Sequence, residues 1–357
     1  MLNKEAKDEL VKQQYRIIGN HSVVKICGWT KKSIKGEGGC YKQKFYGIQS
    51  HQCMQMSTCL SCANRCVFCW RGYKAPVSKE WIGEVDEPTE IIEGCLKEQK
   101  QLLNGFGGIE EIDKKLFKES KQVKHAALSL TGEPILYPRI NELIEELHKR
   151  KISTFLVTNA QYPEELKHLT RVTQLYLSLD APNKKLLKEI DLPLFSDYWE
   201  RLIKSLEYLA QRTERTCIRL SMIKGLNICC AEEYASLIKK GDPDFIECKG
   251  YMFVGSSRQR LSMENMPFHE DVVEFSKELI KYLPEYEIVS EHIVSRAILI
   301  ARKSLKKRGK WHTSIDFEKF FKGEEDYSCE TKEIGLSGTG TKERIREKKY
   351  EKFDSGL

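Results

Sequence analysis

The sequence predicts an α/β protein whose core is a parallel sheet, read as a partial or distorted, TIM-like barrel. An N-terminal extension and C-terminal additions flank it. Three observations lead there. Short apolar, β-branched runs recur from residue 125 onward, helical patterns lie between most of them, and their spacing suits six or more βα units. In such a sheet the working loops stand at the carboxyl ends of the strands. A doubly wound open sheet is the structural alternative.

The strand-like runs are HAALSL (125–130), STFLVT (153–158), VTQLYLSL (172–179), TCIRLSMI (216–223), DFIECKGYMFV (244–254) and YEIVSEHI (286–293). Between them, Ile140 to Lys149 carries Leu143, Ile144 and Leu147 at helical spacing, and Tyr198 to Leu209 repeats Leu202, Ile203, Leu206 and Leu209. Ahead of the core, residues 1 to about 20 read as an amphipathic helix, and 21–58 as an irregular, Gly-rich segment with Cys27, Cys40 and Cys53. The chain thus divides into 1–58 (helix and cysteine-bearing segment), 59–300 (barrel core) and 301–357 (basic extension). Its end, KERIREKKYEKFDSGL (342–357), reads as a short surface helix or a frayed tail.

Apolar residues make up 40% and charged residues 31% of the 357, a soluble globular balance. No apolar run approaches the ~18 residues that a membrane span needs, and the start lacks a signal-peptide pattern. A cytoplasmic location is expected. The net charge of +7 leans toward a polyanionic partner. Arg302 to Lys310, RKSLKKRGK, holds six positive charges and reads either as a block that docks an RNA backbone or as a solvated helix end.

Thirteen cysteines, seven of them between Cys27 and Cys69, are distributed for metal binding and not for a disulfide scaffold. Cys62, Cys66 and Cys69 place three thiols within eight residues. Three thiolates so close can clamp three irons of a cubic cluster and leave the fourth open to a ligand bearing an amine and a carboxylate. Zinc is the rival, since Cys59 with Cys62 and Cys66 with Cys69 form two CxxC pairs, although three residues between the pairs is tight.

This CxxxCxxC pattern resembles that of radical S-adenosylmethionine enzymes. The resemblance implies a (β/α)6 partial barrel, one [4Fe-4S] cluster on Cys62, Cys66 and Cys69, and S-adenosyl-L-methionine as cofactor. Phe68 sits where that superfamily packs an aromatic near the adenine. Thr131, Gly132, Glu133 and Pro134 resemble its GGEP motif, which lines the methionine amino group; Thr131 departs from the first Gly. Asn159, Ser178 and Asp180 stand at further strand ends like ribose or carboxylate contacts, and Met222 like a residue packing on adenine. An isolated Asn or Ser there is also a common turn or cap residue.

Within the superfamily, residues 25–72, Ser178 to Ala181 and 249–272 resemble the tRNA wyosine-synthesis radical enzymes, which make 4-demethylwyosine in archaeal tRNA. That resemblance spans about residues 10–320. It implies a carbon–carbon lyase that joins N1-methylguanosine-37 of tRNA(Phe) to pyruvate. Cys27, Cys40 and Cys53 would hold a second [4Fe-4S] cluster, and Lys42 would form a Schiff base with the keto carbon. Eukaryotic relatives carry a flavodoxin-like domain ahead of this core, which is not expected here, so an external low-potential electron donor is implied. A monomer and no membrane partner are expected. Trp70, Arg71 and Tyr73, together with Lys249, Arg258 and Arg260, are the candidate tRNA contacts. The sequence also allows two other readings: a radical enzyme with a different substrate, and a zinc-stabilised RNA-binding module.

Overall fold

The computed structural model describes residues 4–72 and 75–336. Ten strands form one sheet. Its spatial order runs β1 (Arg16–Ile18), β2 (Ser22–Lys25), β3 (Cys53–Ser57), β4 (His125–Leu128), β5 (Ser153–Thr158), β6 (Gln174–Ser178), β7 (Thr216–Met222), β8 (Phe245–Gly250), β10 (Ala297–Arg302) and β9 (Tyr286–His292). Strands β3 to β8 are parallel and adjacent in chain order. A doubly wound sheet reverses its order at a switch point; this one does not, so the barrel progression holds. β8 pairs with β10 and not with β3, which leaves the barrel partial among the described residues.

Helices α1 (Lys4–Lys12), α2 (Gly28–Ile34) and α3 (Tyr41–Tyr46) precede β3. Between the parallel strands come α4 (Pro88–Asn104) and α5 (Lys114–Ser120), α6 (Ile140–Lys149), α7 (Pro163–Lys167), α8 (Lys184–Asp191) and α9 (Tyr198–Leu209), and α10 (Ala231–Gly241). α11 (His269–Lys281) follows β8, and α12 (Phe317–Phe321) lies near the end. The two-residue period of the strands sorts the core into two layers. Leu156, Leu175, Leu177, Ile218 and Ile246 pack outward under the helices, while Phe155, Tyr176, Cys217 and Phe245 face inward and meet Tyr41, Phe45 and Tyr46 of α3. α3 therefore plugs the barrel interior.

Several local expectations need correction. The segment 21–58 is not irregular: it holds β2, α2, α3 and β3, the first parallel strand. β3 reads CMQMS, without β-branched residues, so strand propensity missed it. The N-terminal helix stops at Lys12, and Gln14, at φ 65°, turns the chain into β1. YEIVSEHI forms β9, an antiparallel edge strand and not a further βα unit, because the buried AILIAR of β10 pairs between it and β8. RKSLKKRGK is no helix end. It makes the hairpin β11 (Lys306–Lys307) and β12 (Lys310–Trp311), turned by Arg308 and Gly309 at φ 51° and 81°. Carboxylates answer much of its charge: Lys306 pairs with Glu287 at 3.3 Å, Lys310 with Glu330 at 2.9 Å, Lys307 with Asp326 and Arg302 with Asp242. Residues 342–357 lie outside the described residues. Among those described, no helix is long and apolar enough to cross a membrane.

Candidate active site

The cysteine loop leaves the carboxyl end of β3 and is held from three sides. The N–H groups of Arg65 and Val67 donate to the carbonyls of Asp191 (2.9 Å) and Ile190 (2.8 Å) at the end of α8, and Glu133 N–H donates to Ser61 (2.8 Å). Arg71 turns inward, its guanidinium donating to the carbonyls of Leu60 (3.0 Å), Asn64 (3.3 Å) and Pro76 (3.4 Å). Arg260 donates to Val67 (2.9 Å) and to Cys69.

Cys62, Cys66 and Cys69 are near enough to act on one another electrostatically. Burial pushes the Cys62 thiol up to about 11, opposed first by the Arg71 guanidinium. Burial, Asp191 and the neighbouring thiols raise Cys66 well above its ordinary value. A buried cation among three thiols favours their anionic, metal-binding form. Cys59 is buried, with Sγ turned to the Ser61 carbonyl at 3.7 Å. Among the described residues, no group of three or more His, Cys, Asp or Glu side chains is placed to hold a single metal ion. A cubic cluster takes each thiolate on a separate iron.

Around the thiols lie buried acceptors. The TGEP turn packs directly on the loop: Gly132 has φ +66°, and a Cβ there would stand 2.0 Å from the Cys59 carbonyl oxygen. Thr131 is buried, its carbonyl accepting from Ser57. Glu133 is 2% exposed; Oε2 accepts from Asn159 N–H at 2.9 Å, while Oε1 has no partner among the described residues. Burial pushes its carboxyl up to about 7. The Asn159 amide donates to Cys62 Sγ at 3.3 Å. Asp180, 5% exposed, also has an unanswered Oδ1, and burial raises it to about 6 against hydrogen bonds from Ser221. Ser178 is half-buried at the end of β6, Met222 is fully buried at the end of β7, and Phe68 packs on the outer core. Thiols with a nearby cation, beside two unanswered carboxylate oxygens, fit a thiolate-held iron cluster and a cofactor rich in amine and hydroxyl donors. Sequence reasoning missed Asp191, which is buried, accepts from the Asn64 amide at 3.2 Å and hydrogen bonds with Cys66.

The second thiol set surrounds Lys42. Cys27 and Cys40 precede α2 and α3, and Cys53 opens β3. Each of Cys27 and Cys53 feels Cys40 and the Lys42 ammonium, and burial raises both. Cys40 Sγ accepts from Ser50 Oγ at 3.3 Å. Lys42 is 8% exposed, its Nζ 4.7 Å from the Tyr176 ring centroid and 5.4 Å from that of Phe155. Burial and then Arg219 lower its pKa, against Glu247, Cys53 and Cys40. A buried amine so placed is easily neutral and nucleophilic. Beside it runs an ion-pair network that the sequence did not disclose. Arg219 donates to Glu247 at 3.0 Å and to the Tyr41 hydroxyl at 2.6 Å, and the Tyr46 hydroxyl donates to Glu247 at 2.7 Å.

Of the candidate RNA contacts, Trp70 and Arg71 line one cavity beside the cysteine loop. Trp70 stacks on Tyr15 at 5.7 Å and 11°. Arg71 and Arg260 spend donors on the cysteine loop. Arg258 is exposed over the Phe253 ring at 5.5 Å. Lys249 is half-buried inside the barrel, and Tyr73 lies outside the described residues.

Known proteins share this arrangement. The family description "Radical SAM superfamily" matches residues 56–238, and "Wyosine base formation" matches residues 240–302. A solved structure of TYW1 with a lysine–pyruvate adduct bound superposes with a TM-score of 0.77 at 35% identity, over 85% of this chain and 97% of that one. The chain belongs to the TYW1 family of radical SAM proteins. An archaeal TYW1 crystal structure agrees, with a TM-score of 0.72 at 30% identity, over 88% of this chain and 100% of that one. Among curated relatives, the S-adenosyl-L-methionine-dependent tRNA 4-demethylwyosine synthase TYW1 of Xenopus laevis is 48% identical over 90% of this chain and 44% of its own length. The synthase of Arabidopsis thaliana is 49% identical over 90% of this chain and 50% of its own. The chain thus spans about half the length of these curated relatives. Membership of the superfamily implies S-adenosylmethionine and one [4Fe-4S] cluster, for which Cys62, Cys66 and Cys69 are the fitting ligands.

Proposed function

We propose that this chain condenses N1-methylguanosine-37 of tRNA(Phe) with pyruvate to give 4-demethylwyosine. One observation carries the reading: a buried amine, Lys42, lies among Cys27, Cys40 and Cys53 inside a barrel whose strand ends carry a second thiol triad.

Bound to the two triads, [4Fe-4S] clusters would supply an electron to the sulfonium cofactor at Cys62, Cys66 and Cys69 and a Lewis-acidic iron at Cys27, Cys40 and Cys53. The chain's own residues do the rest. Glu133 and Asp180 receive the cofactor's amine and hydroxyl donors on their free oxygens. Thr131, Gly132, Asn159 and Ser178 shape that pocket, with Phe68 and Met222 against the adenine. Lys42 attacks the pyruvate keto carbon and expels its oxygen as water. The walls of Phe155 and Tyr176 keep bulk water away from the resulting Schiff base. Trp70, Arg258 and Tyr73 meet the splayed anticodon loop, whereas Arg71 and Arg260 act by holding the cysteine loop. A barrel core that starts at β3 (Cys53–Ser57), ahead of the expected boundary at 59, and runs through β10 (Ala297–Arg302), past the expected boundary at 300, an external low-potential donor, a monomeric state and a cytoplasmic location complete the proposal.

The test is reductive trapping. The anaerobic holoenzyme is incubated with labelled pyruvate and cyanoborohydride, then digested for peptide mass mapping. A lactyl-sized addition on Lys42 is expected; label on no lysine, with iron fully loaded, overturns the role of pyruvate here.

A further inference from the structure

Lys249 lies two residues beyond Glu247 on β8 and shares its inward face. Its cross-strand neighbour on β7 is Ser221, which hydrogen bonds with Asp180 at the cofactor end. Two residues before Ser221 stands Arg219, which belongs to the Lys42 end. Lys249 therefore stands between the two halves of the site. Its amine has neither a salt bridge nor a side-chain hydrogen bond among the described residues. Glu247, the anion that acts on it, is committed to Arg219 and Tyr46, and Arg296 adds a further positive charge. Burial and Arg219 lower the amine to about 8. A half-buried cation without a partner is costly unless a ligand supplies acceptors.

The chemistry of the target base names those acceptors. On the function proposed above, on which this inference rests, the N1-methyl group must face the cofactor and the N2 amine must face the keto carbon at Lys42. Both belong to the Watson–Crick edge. O6 and N7 remain, two acceptors on one edge that lysine reads in guanine. We infer that Lys249 recognises the target base, donating to O6 and N7 of N1-methylguanine. Adenine would place its N6 amine against the cation and is rejected.

The experiment compares wild-type, K249A and K249R holoenzymes on an anticodon stem-loop carrying N1-methylguanosine or its 7-deaza analogue at the target position. Removing N7 is expected to lower wild-type kcat/KM about tenfold. K249A is expected to lose about tenfold or more on the natural base and to show no further loss with the deaza base. K249R, which keeps a cationic donor pair, recovers much of the rate and the sensitivity to N7. Iron content near wild type verifies that the variants fold. A deaza penalty that persists undiminished in K249A overturns the inference. So does a K249A defect confined to the KM for pyruvate, which would mark a carboxylate receptor, or a uniform loss of RNA affinity with a shallower salt dependence, which would mark a phosphate contact. No ring closure by wild type on the natural stem-loop overturns the underlying function instead.

Discussion

Replacing Gly132 by alanine tests how the TGEP turn sits on the cysteine loop. Gly132 has φ +66°, a conformation that costs an L side chain about 1–2 kcal/mol. The added Cβ would meet the Cys59 carbonyl oxygen at 2.0 Å and the Leu60 carbonyl carbon at 2.7 Å. Both are backbone atoms that no rotamer change can move, so overpacking adds about 1–3 kcal/mol. The expected loss of stability is therefore about 2–5 kcal/mol, read by anaerobic urea denaturation of the apoprotein. The same displacement draws Glu133 away from the thiols through its 2.8 Å bond to Ser61. A shift on the order of 1 Å at such a site costs about a hundredfold in rate, so reductive cleavage of S-adenosylmethionine falls steeply. Gly105→Ala is the control, because nothing lies within 4 Å of its Cβ position and its φ is −62°. A G132A protein within about 0.5 kcal/mol of wild type, the ordinary range for a surface substitution, and with normal cofactor cleavage would refute this packing of the turn on the cysteine loop.

Other perturbations separate the parts of the site. Lys42→Arg should keep fold and iron but eliminate the trapped pyruvate adduct, read by peptide mass mapping. Cys53→Ala should lower iron from about eight to about four per chain, by metal analysis, while reductive cleavage of S-adenosylmethionine persists. Arg71→Met removes a half-buried guanidinium from three loop carbonyls and should cost about 2–3 kcal/mol together with the first cluster's iron. His148 is half-buried, and its loss of solvent, with Arg171 nearby, pushes its pKa down to about 4. Its unfolded form takes up a proton first, so its contribution is complete above the unfolded value and is lost as pH falls from ~6.5 toward 4. His148→Gln should therefore flatten the acid limb of a stability–pH curve by about 2–3 kcal/mol.

Much of the fold was legible because local pattern and tertiary role agree. STFLVT is a strand over the same residues, and Ile140 to Lys149 and Tyr198 to Leu209 are helices with the expected buried faces. What escaped depends on distant partners. β3 became a strand through pairing with β2 and β4, not through the propensities of Met and Gln. The ion pairs of the basic run were not legible, because three of its carboxylates lie 19 or 20 residues away in sequence and Asp242 lies 60 away. At the site, the CxxxCxxC spacing pointed to the first triad, and family resemblance pointed to Lys42 and the second. The Arg219, Glu247 and Tyr41 network was invisible, since Tyr41 is 178 residues from Arg219. Asp191 likewise meets Asn64 across 127 residues, where no local motif marks it.

The most direct measurement follows carbon from pyruvate into RNA. Anaerobic holoenzyme receives S-adenosylmethionine, a low-potential reductant, uniformly 13C-labelled pyruvate and tRNA(Phe) bearing N1-methylguanosine, and the nucleosides are digested and weighed. A tricyclic base carrying two labelled carbons, formed together with 5'-deoxyadenosine, is the expected result. Cofactor cleavage that leaves the N1-methylguanosine unlabelled and unchanged would contradict it.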